Sequence, residues 1–130
     1  MTMQLENRAS DRAEPPLAAL AWVANARATA KEAEPVLRAA LEEGLSTLSP
    51  SSAELAWLKV LYGSCLTTLG RFEESEVELL AGTSGLEEAV GLRDRRTRHA
   101  MRCFVEHWSK RGDRARASLW RERLHGTPPS

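Results

Sequence analysis

Residues 62–80, YGSCLTTLGRFEESEVELL, decide the fold. They read as the end of one helix, a glycine turn, and a second helix folded back on the first. Leu66 and Leu69 close an apolar stripe, and Gly70 is the residue type that accepts left-handed geometry at a helix end. Phe72 wedges the corner, and Ser75 is small enough for two helix backbones to approach closely. Shifted by forty-two residues, the punctuation returns: Gly112 falls on Gly70, Ala117 on Ser75 and Trp108 on Leu66. Shifted the other way, Ala33 falls on Ser75, Leu37 on Leu79 and Ala40 on Gly82. A fixed period of helix, turn and helix predicts a helical solenoid.

Outward from this hairpin the same pattern divides the rest of the chain. Residues 1–14 lack a periodic apolar face and are expected to form a flexible arm. Pro15 and Pro16 suit a first helical turn, and 15–28 then aligns Leu17, Leu20, Ala21, Ala24 and Ala28 on one stripe. Thr29 with Glu32 is a capping-box pair opening a helix over 30–46, with Ala33, Val36, Leu37, Ala40 and Leu41 as its buried face. Residues 46–50 are a loop. Ser51 with Glu54 repeats the capping signal for a helix over 52–69, whose stripe is Leu55, Leu58, Tyr62, Leu66 and Leu69. The helix from Phe72 carries Val77, Leu79, Leu80 and Leu86. Its soft place is AGTSG at 81–85, where two glycines cost roughly 1 kcal/mol each relative to alanine. A continuous helix is still expected there. After a loop at 91–96, a helix over 95–110 carries Ala100, Cys103, Phe104, His107 and Trp108. Gly112 and Asp113 then stop it and cap a last helix ending near Leu124. The tail, 125–130, is expected to be disordered.

Composition bounds the function classes. Apolar residues make up 42% and charged residues 28% of the 130, the balance of an ordinary globular chain rather than a disordered one. No apolar run reaches the length of a membrane span, and the polar start lacks a signal-peptide core. Cys65 and Cys103 fall inside helical patterns, as reduced, buried thiols of a cytoplasmic protein would. The net charge of zero hides an asymmetry. Residues 1–90 hold seven basic and fourteen acidic side chains, and residues 91–130 hold eleven basic and four acidic.

At its turn residues the chain resembles tetratricopeptide-repeat proteins of the longer, forty-two-residue variety. Gly63, Leu66, Gly70, Phe72 and Ser75 carry the likeness in the middle hairpin, and Phe104, Trp108, Gly112 and Ala117 carry it in the last. In the first hairpin Leu20, Ala21, Ala24, Ala33, Leu37 and Ala40 carry it. AEPVLRAAL and LGRFEESEVELL are also similar to the terminal repeats of large bacterial serine/threonine protein kinases. The resemblance implies an all-α, right-handed solenoid of about three hairpins and six helices over 15–124. It further implies a non-catalytic scaffold that takes a protein or peptide partner on the concave face made by the first helix of each hairpin. On this chain that face would hold Trp22 and Asn25, then Trp57, Val60, Ser64 and Thr67, then His99, Arg102, Glu106 and Ser109. Ala28 stands where the first hairpin would have a turn glycine, and Arg114 where the last would have a turn aromatic. The kinase glycine-rich loop, catalytic loop and metal-binding motif do not occur, so no kinase activity is implied.

Chemistry-bearing patterns are few. His99, Cys103 and His107 follow one another at four-residue spacing, but the outer two lie roughly 12 Å apart along a helix and cannot share one ion. No metal or cofactor is expected. GTSG at 82–85 lacks the strand and the lysine of a phosphate loop. Ser64, Ser75 and Ser84 have no base at a plausible sequence spacing, so no catalytic group is expected. The arginines from Arg93 onward admit three readings: charges neutralised by neighbouring glutamates, a surface for an acidic protein, or a surface for nucleic acid or another polyanion. Internal neutralisation is the expectation, with a monomer or weak self-association. The polyanion binder using 91–124, and a purely structural terminal segment of a larger enzyme, are the alternatives.

Overall fold

The computed structural model describes residues 29–126, and every element in that range is an α-helix. The helices are α1 (Ala30–Thr47), α2 (Ala53–Thr68), α3 (Phe72–Val90), α4 (Arg95–Arg111) and α5 (Arg114–His125). Each lies within a residue or two of its expected span, and α3 runs unbroken through AGTSG. The arm at 1–14 and the helix expected over 15–28 lie outside the described residues.

Local chemistry sets the boundaries. Thr29 accepts from the Glu32 amide and caps the helix as expected, and its hydroxyl lies 2.8 Å from the Glu32 carboxylate. The second cap falls one residue later than expected. Ser52, not Ser51, accepts from the Leu55 amide at 3.1 Å, while Ser51 pairs with Ser49. Asp94 and Asp113 cap α4 and α5.

The two glycine stops forty-two residues apart share one hydrogen-bond pattern. At the end of α2, Gly70 has φ 78°, its amide bonds to the Thr67 carbonyl, and the Arg71 amide bonds to the Leu66 carbonyl. At the end of α4, Gly112 has φ 85°, its amide bonds to the Ser109 carbonyl, and the Asp113 amide bonds to the Trp108 carbonyl. Both are Schellman closures, in which only glycine takes the positive φ without strain. The small residues Ala33, Ser75 and Ala117, at the same interval, are all buried.

Each helix packs on its neighbour in sequence, and α2 also touches α4. Between α2 and α3 the close pairs run in opposite directions: Gly63 on Leu79, Val60 on Gly82, Ala56 on Gly85. The two helices are therefore antiparallel, and their glycines sit at the crossing. A Cβ on Gly82 would lie 2.7 Å from the Val60 side chain and 2.8 Å from the Ala56 carbonyl oxygen. The supposed soft place in α3 is thus where the backbone comes closest to its neighbour.

Two apolar clusters result. One joins Ala33, Leu37, Ala40 and Leu41 of α1 to Leu55, Leu58, Leu61, Tyr62, Cys65 and Leu66 of α2. The other joins Ala56 and Val60 of α2 to Leu79, Leu86, Ala100, Phe104, Trp108 and Ala117. Trp57 touches both. Three apolar residues expected to face inward are exposed: Val36, Val77 and Leu80. They lie on the sides of α1 and α3 that α2 does not cover.

Candidate functional site

Along α4, Arg95, His99 and Arg102 recur at helical spacing and so share one face, with Arg96 beside them. Across from them stands Trp57 of α2. Among the described residues, these five line an open cleft of about 450 Å³. The Trp57 and His99 rings meet edge to face, 5.2 Å between centroids. Burial, and next the Arg102 charge, hold the His99 pKa below the usual histidine value, so the ring is neutral near pH 7. Arg96 is held by Glu54 at 3.5 Å and by Asp94 at 3.3 Å.

The expected groove residues divide. Trp57, His99 and Arg102 come together in the cleft. Glu106 and Ser109 are exposed further along α4, with Glu106 paired to Lys110. Ser64 is half-buried. Val60 and Thr67 depart from the expectation. Val60 is 0% and Thr67 3% exposed, so neither offers a surface to a partner. The reason is that α3 and α4 close over this side of α2. Trp22 and Asn25 lie outside the described residues. Arg95 and Arg96 complete the cleft but were absent from the expected groove. Their spacing to His99 and Arg102 on one helix face was the available signal.

The row His99, Cys103, His107 splits into three environments. Cys103 is buried, and desolvation pushes its thiol up to about 11, far from a reactive thiolate. His107 is 0% exposed and sits where α2, α3 and α4 meet. Its Nδ1 lies 2.8 Å from the Ser75 hydroxyl and 3.3 Å from that of Thr67. The fold thus brings to Ser75 a base that sequence spacing did not indicate. Ser75 Oγ also lies 3.0 Å from the Phe72 carbonyl, and Thr67 Oγ1 3.1 Å from the Gly63 carbonyl. With both hydroxyl protons given to these carbonyls, a protonated Nδ1 donates to the two oxygens. A Ser75 oxygen that accepts from the imidazole is not activated by it. Ser75 is also 0% exposed and out of a substrate's reach. The contact is a polar joint between helices.

The charges on the basic third are neutralised in part among the described residues. Among the described residues, two of its ion pairs reach another helix: Arg96 to Glu54, and Arg111 to Glu76 at 2.8 Å. Lys110 and Arg116 pair within their own turns. Arg93, Arg95, Arg102, Arg114 and Arg121 have no carboxylate within ion-pairing distance among the described residues.

No helix among the described residues is long and apolar enough to cross a membrane. No protein-family model, curated protein or solved structure matches the chain.

Proposed function

We propose that this chain is a non-catalytic protein-interaction module, a short array of tetratricopeptide-like hairpins that takes a partner on the side where α2 and α4 lie next to each other. On this reading α2 with α3 and α4 with α5 are two hairpins. A third would pair α1 with the segment over 15–28, giving three hairpins and six helices in a solenoid. What supports the repeat is the recurrence of the Schellman closure at Gly70 and Gly112, with small buried residues at Ala33, Ser75 and Ala117. The observation that carries the function is the cleft of Trp57, Arg95, Arg96, His99 and Arg102. It combines an aromatic wall with forked hydrogen-bond donors, and tryptophan and arginine are the residue types enriched at binding hot spots.

The test is site-directed photocrosslinking during affinity capture from native extract. A photoreactive residue at Glu106, one turn from the cleft, should crosslink a partner protein. The same group at Leu119 on the far helix should not. Crosslinks from position 119 alone, or none from either, would overturn the reading. A second reading, polyanion binding by residues 91–124, is favoured by the five arginines that have no carboxylate neighbour. It requires affinity for nucleic acid that falls log-linearly with salt.

A further inference from the structure

The cleft is asymmetric in charge and in chemistry. Among the described residues, one wall is a single helix face carrying three guanidinium groups and a neutral imidazole, and the other carries the ring of Trp57. Glu54 and Asp94 already compensate Arg96. Arg95 and Arg102 therefore hold the uncompensated charge, about two turns apart on α4 with His99 between them. Both are exposed, so their forks are open to a planar anion. A carboxylate matches that fork with two parallel hydrogen bonds. The Trp57–His99 edge-to-face pair stands between these two arginines. A volume of about 450 Å³ accommodates a few side chains, not a folded domain or a duplex.

Resting on the interaction reading above, we infer that the cleft takes an extended acidic segment of a protein partner, with carboxylates on Arg95 and Arg102. The surroundings favour a peptide over a polynucleotide. Glu54 and Asp94 flank the Arg96 end, and Glu106 lies one turn beyond Arg102. A phosphate at every step of a backbone would meet these carboxylates, whereas a peptide places charge only where its side chains require. Carboxylate side chains are sufficient, so the segment needs no free chain terminus.

The probe is a short peptide alternating glutamate and alanine, acetylated and amidated so that no terminal charge contributes. Titration calorimetry compares it with its glutamine–alanine counterpart, with inorganic phosphate and with oligothymidylate. The glutamate peptide should bind at least about tenfold more tightly than the glutamine peptide. The double variant R95Q/R102Q should lose that preference, and R114Q/R121Q on the far helix should keep it. All four side chains are exposed, so none of these variants removes a core contact. Equal binding of the two peptides, a preference that survives R95Q/R102Q, or tighter binding of oligothymidylate or phosphate would each overturn the inference. If no peptide binds while position 106 still crosslinks a partner, the acidic segment is wrong and the interaction reading stands. If both fail, both readings fall.

Discussion

His107 shows how much one side chain can depend on the fold around it. In sequence it is one member of a row with His99 and Cys103. In the structure its ring lies edge-on to Phe72, Phe104 and Trp108 and is tied through Nδ1 to helices α2 and α3. Its Nε2 is buried with no hydrogen-bond partner. Protonation would place a second N–H there without an acceptor. Burial accordingly holds its pKa below the ordinary histidine value, with Glu76 opposing and Arg111 reinforcing the shift. The sign of the pH effect follows. As pH falls through about 6.5, the unfolded chain takes up the proton before the folded one does. The stabilisation is therefore complete above that pH and is lost below it, by at most about 1.4 kcal/mol per pH unit for each such histidine. His99 shifts in the same direction. Urea midpoints should fall between about pH 7.5 and about pH 5.5, and His107→Gln should lower the midpoint at both while flattening the fall. An equal slope in that variant would mean that His107 does not titrate with unfolding.

At the scale of elements, what was legible in the sequence was punctuation. Gly70, Gly112, Thr29 and Asp113 each mark an end by chemistry that acts within a few residues, so no tertiary information was needed to find them. The faces of α2 were harder. Periodicity picked out Leu55, Leu58, Tyr62, Leu66 and Leu69, the side that meets α1, but α2 is covered on its other side as well. Ala56, Val60, Gly63 and Thr67 make that second face, and small or polar residues give little apolar contrast to detect. The role of the glycines of α3 was hidden for the same reason, since propensity reports a helix in isolation and Gly82 answers to Val60 and Ala56. Gly82→Ala should therefore destabilise despite the better helix former. The clash typically costs about 1–3 kcal/mol, against a propensity gain of about 1 kcal/mol. Gly112→Ala meets no atom within 4 Å and should cost only the left-handed backbone strain, about 1–2 kcal/mol. Crystal structures of the two variants separate the causes: a shift between α2 and α3 is expected for Gly82→Ala, and an altered turn alone for Gly112→Ala. A Gly82→Ala protein as stable as its parent, with no shift, would refute the close-packing argument.

Across the whole molecule, charge and packing follow different divisions. Charge separates an acidic front from a basic back, and the few cross-helix ion pairs of the back leave Arg95 and Arg102 available in the cleft. Packing instead divides at α2, whose opposite faces belong to two apolar clusters that, among the described residues, share only Trp57 at their margin. A helix buried on two sides has no edge from which it can fray without opening a cluster. Its outer partners can detach one at a time. Amide hydrogen exchange should therefore be slowest in the middle of α2, around Val60 and Leu61, and faster in α5, which among the described residues packs on α4 alone. Uniform protection across all five helices would instead indicate a single cooperative unit. If the hierarchy holds, the wall of the cleft that carries Trp57 is the last part of the chain to open, and the wall that carries the arginines can breathe against it.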